Sequence, residues 1–189
     1  MTLICLAPIG PLEPLVLRAL PPVVEDRLNV QVRSMPPLPL PPLAHNPSRD
    51  QYDSVVFLKA LAAACPPGVD RFVGITSLDL CIPMLTFVFG QAQFEGRLAL
   101  VSTARLDPRF YGMPADLPLL LNRAAKELLH ELGHTFGLVH CSDSTCAMSL
   151  STAIQHVDLK RDAYCPDCAA QLGELQRINE NSLEHPDRR

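Results

Sequence analysis

The chain has 189 residues, 48% of them hydrophobic and 19% charged, which excludes a disordered polymer and suffices for one domain with a buried core. Seven phenylalanines, three tyrosines and no tryptophan leave that core to aliphatic side chains. A net charge of −4 gives no basic balance for nucleic acid, and no stretch reaches the roughly 20 apolar residues of a membrane span.

Residues 3–9 are apolar, lack a basic flank and run into Pro8 and Pro11, so they read as a buried strand rather than a signal peptide. Residues 12–20 predict a short helix, broken at Pro21 and Pro22. Val30 and Val32 alternate with polar neighbours over 29–33, a second strand. The prolines of 36–42 predict an extended, polyproline-like connection. Its PxxP spacing also leaves open a proline-recognising partner.

Residues 50–65 carry apolar side chains near helical spacing and stop at Pro66-Pro67-Gly68. Residues 71–76 are β-branched and apolar, a central strand. Residues 85–92 and 97–105 predict two strands joined at Phe94-Glu95-Gly96, with Gly90 marking a bulge or a close backbone approach. Residues 117–136 repeat Leu and Ala at three and four and meet Gly137, which predicts a long helix. A helix over about 167–180 and a frayed polar tail over 181–189 complete the chain. The whole predicts an α/β fold: a mixed sheet with two main helices, then a loop-like, cysteine-rich stretch. It is expected to be one unit over 1–189, with sheet and helices in 1–137 and a smaller subdomain in 138–189.

Chemistry concentrates after the second main helix. Residues 130–140 read His-Glu-Leu-Gly-His-Thr-Phe-Gly-Leu-Val-His. His130 and His134 share one helical face, one turn apart. Gly137 permits a left-handed exit that returns His140 to the same ion. Three neutral imidazoles leave a fourth position for water, the pattern of a catalytic zinc. Glu131 stands where it can take that water's proton. The alternative is three histidines near a helix end by chance. Met148 lies on Cys146-Ala147-Met148 and would floor the imidazoles, or simply fill core.

Cys141 and Cys146 are spaced C-x4-C, and Cys165 and Cys168 are spaced C-x2-C. Four thiolates in two close pairs can close a tetrahedral shell, so the expected second ion is a structural zinc, giving two zinc ions per chain. Two disulfides and a redox pair are the competing readings. An odd total of seven cysteines without a secretion signal favours a reducing, cytoplasmic compartment. Cys5, Cys65 and Cys81 sit in apolar segments and are expected to be buried free thiols.

The run from His130 to Cys168 closely resembles the archaemetzincins, a family of metzincin-like metallopeptidases. Its pattern His-Glu-x-x-His-x-x-Gly-x-x-His-Cys, then C-x4-C-x-Met and a later C-x-x-C, is complete here. Weaker similarity runs through residues 49–52, 74–80 and 87–92. The resemblance implies a compact metzincin-like domain with a twisted, mostly parallel sheet, an active-site helix and a four-cysteine zinc subdomain. It implies Glu131 as general base, Met148 as the Met-turn residue, and residues 87–92 as an edge strand above the metal that pairs with a peptide or protein substrate. Some relatives have aminopeptidase character, which would need a carboxylate for the substrate amine. Asp79 and Asp158 are candidates only, and exposed or loop-capping roles suit both better. The alternative to a zinc peptidase is a non-catalytic, zinc-stabilised interaction module, which would leave Glu131 idle.

Overall fold

The computed structural model describes residues 1–184, with side chains described through Ile178. Its main sheet is built on β1 (Leu3–Pro8), buried from Ile4 onward. Parallel neighbours flank it: β2 (Gln31–Ser34) on one side and β5 (Arg71–Thr76) on the other, and β5 in turn pairs with β9 (Leu98–Ser102). The antiparallel β8 (Gly90–Ala92) closes the order β2-β1-β5-β9-β8. The expected mixed, mostly parallel sheet is therefore found.

The inner strands are apolar at consecutive positions because both faces of the sheet are covered. Ile4, Leu6, Val73, Ile75, Ala99 and Val101 pack with α1 (Pro14–Leu28) and α3 (Leu117–Phe136). Their alternates Cys5, Ala7, Phe72, Leu98 and Leu100 pack with α2 (Ser54–Ala64). The period-two pleat thus sorts one run of residues into two cores.

Several expectations are corrected. The first helix does not break at Pro21-Pro22; α1 continues through both to Leu28. Val16, Leu20, Val24 and Leu28 form one buried stripe, and each such side chain gains about 1.5–3 kcal/mol on burial. Together, at about 6–12 kcal/mol, they match or exceed the roughly 6 kcal/mol cost of two interior prolines. The chain therefore has three substantial helices before residue 137, not two.

The helix expected over 50–65 begins at Ser54, because residues 51–53 are committed to strand β4 (Gln51–Asp53). Tyr52 N–H donates to Asp79 O and Asp53 N–H to Ala44 O, and the Asp53 carboxylate caps α2 by accepting from Val55 N–H.

The strand expected over 85–92 is two strands in two sheets. β7 (Leu85–Val88) belongs to a small sheet of order β3-β4-β6-β7, with β3 (His45–Asn46) and β6 (Leu80–Ile82), while β8 belongs to the main sheet. The chain crosses between them at the buried Phe89, whose carbonyl accepts from Ser102 N–H.

The cysteine-rich stretch holds a short helix, α4 (Ile154–Leu159), that its sequence did not suggest. Segment 36–42 has no helix, and Leu38 bridges to Ile9. Helix α5 spans Pro166–Glu184, beyond the expected end, and the tail residues 185–189 lie outside the described residues. Among the described residues no helix is long and apolar enough to cross a membrane.

Candidate active site and metal centres

Helix α3 starts where the Asp116 carboxylate accepts from Leu119 N–H, and it ends at Gly137, whose φ of 107° suits glycine. On its last two turns His130 and His134 face each other with Nε2 atoms 3.1 Å apart. Two nitrogens bound to one tetrahedral zinc stand about 3.3 Å apart. His130 Nδ1 lies 2.8 Å from Ala147 O and His134 Nδ1 lies 2.8 Å from Leu138 O. A carbonyl only accepts, so each Nδ1 carries the proton and each Nε2 presents a lone pair to the other. Leu138 N–H bonds back to Gly133 O, and this turn returns the exposed His140 to the pair. Its ring lies 4.9 Å from that of His134 and 5.4 Å from that of His130, with donor atoms of all three within 4.8 Å of one another. Burial, with lesser help from Lys160, lowers the pKa of all three, and neighbouring imidazoles add to this at His130 and His134. They are neutral at ordinary pH, as metal ligands must be.

Glu131 is almost wholly buried, and that burial, reinforced by Glu127, holds its carboxyl well above the usual range; Lys160 acts against this. Strand β8 crosses directly over it. A Cβ on Gly90 would stand 2.6 Å from Glu131 Oε1 and 2.7 Å from Leu100 O, so the close backbone approach expected at this glycine is real. Glu131 and the three histidines line a cleft of about 360 Å³. Residues 85–92 form one wall and Leu150, Ser151 and Thr152 contribute another. The segment expected as an edge strand over the site therefore does border it, with β8 at the end of the main sheet.

Met148 is fully buried and sits on a tight turn closed by Ser149 N–H to Cys146 O. Its thioether fills the space that a side chain at Gly133, the residue before His134, would need. The same turn supplies the Ala147 carbonyl that orients His130.

The four late cysteines also converge, their sulfurs all within 4.8 Å. Cys141 Sγ and Cys165 Sγ are 3.8 Å apart, far beyond a disulfide and close to the roughly 3.8 Å edge of a tetrahedral zinc–sulfur shell. Cys146 Sγ accepts from Cys165 N–H and Met148 N–H. Hydrogen bonding from Cys168 lowers the Cys165 pKa, whereas burial raises those of Cys146 and Cys168. Both donor sets fit zinc. His140 and Cys141 are consecutive yet serve different clusters. Cys5 and Cys81 are buried free thiols as expected, and Cys65 is half-buried.

Sequence reasoning missed Glu127 and Lys160. Glu127 lines the cleft one turn before Glu131 and pairs with Lys160 at 2.9 Å. The spacing of four from Glu131 was available as a signal for Glu127; nothing in sequence joins it to Lys160, thirty-three positions away. Asp79 and Asp158 do not point a free carboxylate at the cleft: each is held by a forked guanidinium, Arg105 for Asp79 and Arg123 for Asp158.

Comparison with known proteins agrees with this geometry. Residues 66–174 match Peptidase family M54. The archaemetzincin of Methanocaldococcus jannaschii is 39% identical over 169 residues, spanning 89% of this chain and 92% of that one. The crystal structure of archaemetzincin from Methanopyrus kandleri superposes with a TM-score of 0.83 at 37% identity, covering 93% of this chain and 96% of that one. A zinc-dependent peptidase from Methanocorpusculum labreanum superposes with a TM-score of 0.82 at 30% identity, covering 89% and 99%.

Proposed function

The chain belongs to peptidase family M54, the archaemetzincins, and from that premise we propose that this zinc metallopeptidase works through His130, His134 and His140 as ligands of one catalytic zinc and Glu131 as general base. The observation that carries this is the meeting of two Nε2 lone pairs 3.1 Å apart with Glu131 in the same cleft. Bound zinc supplies a Lewis acid that polarises a carbonyl and makes water nucleophilic near neutral pH. Ala147 O and Leu138 O hold the imidazoles in the ligating tautomer. A peptide adds as a strand along residues 87–92, which places its scissile carbonyl over the histidines. Glu131 accepts a proton from the attacking water and delivers it to the leaving amine. Burial makes the Glu131 carboxylate a stronger base, which suits the proton-accepting half of this exchange.

Met148 is the Met-turn residue of this reading, supporting the histidines from below. Cys141, Cys146, Cys165 and Cys168 hold a second, structural zinc, so the chain carries two ions. Thiolates at that site suit a reducing, cytoplasmic setting.

The experiment is digestion of a mixed peptide library by zinc-loaded wild type and by Glu131→Gln. Wild-type cleavage that drops at least about a hundredfold in Glu131→Gln supports the base. Equal cleavage by both removes Glu131 from the mechanism, and silence from the wild type favours the interaction module. Product ends also test the narrower aminopeptidase reading, for which Asp79 and Asp158 offer no free carboxylate.

A further inference from the structure

Three segments distant in sequence meet behind the strand wall of the cleft. Arg49 and Gln51 come from the entry to β4, Asp79 from the turn before β6, and Arg105 from beyond β9. Arg49 donates to the carbonyls of Ile82 (3.1 Å), Leu85 (2.7 Å) and Thr86, and its Nε to Gln51 Oε1 (2.9 Å). The buried Gln51 donates to Asp79 Oδ2 (2.8 Å) and again to Thr86 O (3.0 Å). Asp79 receives Arg105 through both oxygens, at 2.6 and 2.8 Å. The Arg105 guanidinium lies 4.2 Å from the ring centre of Phe87 and 4.7 Å from that of Phe110, and Phe87 meets Phe89 edge-on at 5.1 Å.

None of these four polar residues lines the cleft, whereas Leu85, Thr86, Phe87 and Phe89 do. The β6–β7 pairing also slips register between Leu80 and Ile82, so ladder bonds alone hold β7 weakly. Side chains make up the deficit by gripping two successive carbonyls and one aromatic face.

We propose that Arg49, Gln51, Asp79 and Arg105 form a positioning clamp that sets where the cleft-lining strand stands and thereby how tightly a peptide substrate binds. The clamp rests on the peptidase reading for the word substrate, but its hold on the strand does not. Arg49 is the sharpest probe, because lysine keeps the charge and loses the planar fork that spans three carbonyls.

The test uses full-length, zinc-loaded wild type, Arg49→Ala, Arg49→Lys and Arg105→Ala. Amide hydrogen exchange is read peptide by peptide, together with zinc content and steady-state kinetics on a library-derived peptide. The expected result is about tenfold faster exchange confined to 85–92, two zinc ions retained, KM raised about tenfold and kcat within about twofold, with Arg49→Lys between alanine and wild type. Unchanged exchange at 85–92 overturns the proposal, as does a loss of protection spread evenly over the chain or a fall in kcat with KM constant. A wild type that cleaves nothing counts against the peptidase reading alone, because the exchange result stands without a substrate.

Discussion

Lys160 Nζ lies 2.9 Å from Glu127 Oε1 with both side chains sealed from solvent, and 3.5 Å from His130 Nδ1. The pair ties the segment after α4 to the face of α3 that carries the site. Removing one member of such a pair leaves an uncompensated buried charge, at a cost of about 3–5 kcal/mol. Lys160→Met is therefore expected to lower unfolding free energy by that amount in urea titrations. Replacing both partners, as in Glu127→Leu with Lys160→Met, is expected to recover most of it. A single variant as stable as wild type would remove the pair from any account of the site's rigidity.

Gly90 offers a second, steric test. Any side chain there meets Glu131 Oε1 and the Leu100 carbonyl at under 3 Å. The backbone oxygen cannot yield without moving β9, so the carboxylate must. Gly90→Ala is expected to cost about 1–3 kcal/mol by overpacking and to suppress peptide cleavage while leaving zinc content unchanged. Wild-type turnover in Gly90→Ala would show that Glu131 has room to spare and that its placement under β8 is incidental.

The sequence and the structure diverge for identifiable reasons. The cluster of His130, His134 and His140 was legible because one helix and one glycine turn generate it locally. The four cysteines were legible because two short spacings leave few ways to converge. Helix α3 matched residue for residue, since Asp116 and Gly137 mark its ends with cap chemistry. Helix α1 was misread because proline's local cost is visible in sequence while the stripe Val16, Leu20, Val24 and Leu28 gains its energy only against a sheet. The division of 85–92 between two sheets was hidden for the same reason: partners at β6 and β9, not propensity, decide where each half pairs. The Glu127–Lys160 pair and the Arg49 clamp depend wholly on contacts between distant segments.

The histidines make a prediction about pH. Burial first, with Lys160 helping at each, places the native pKa of His130, His134 and His140 below the free imidazole value of about 6.5. Between the two values the unfolded chain holds protons that the folded chain does not. Their contribution to stability is thus intact above pH 6.5 and is lost as pH falls through the native values. Glu131, raised instead, has the opposite sign, so the Glu131→Gln background isolates the histidines. In that variant, stripped of metal by chelator, ring-proton resonances are expected to titrate below pH 6.5 and unfolding free energy to fall on acidification through the same range. Ring titration at or above 6.5 would contradict the burial argument.

The adjacency of His140 and Cys141 couples the two metal clusters through one peptide unit. Cys141 N–H donates to Met148 O at 3.0 Å, and Cys141 Sγ faces Cys165 Sγ, so the position of His140 inherits the order of the cysteine cluster. His140 is also the most exposed of the three histidines, and among the described residues it has no side-chain bond comparable to those that fix His130 and His134. Its main-chain anchor is therefore the chief means of holding it. Cys165→Ser is expected to lower zinc content from two ions to one or fewer. It is also expected to weaken zinc at the histidines by about ten- to a hundredfold, the usual scale for loss of a ligand's supporting contacts. Native mass spectrometry gives the count, and competition with a chromogenic chelator gives the affinity. One ion held at wild-type affinity by the histidines would show that the clusters are independent, and the cysteine site would then serve the fold of residues 141–168 without serving the active site.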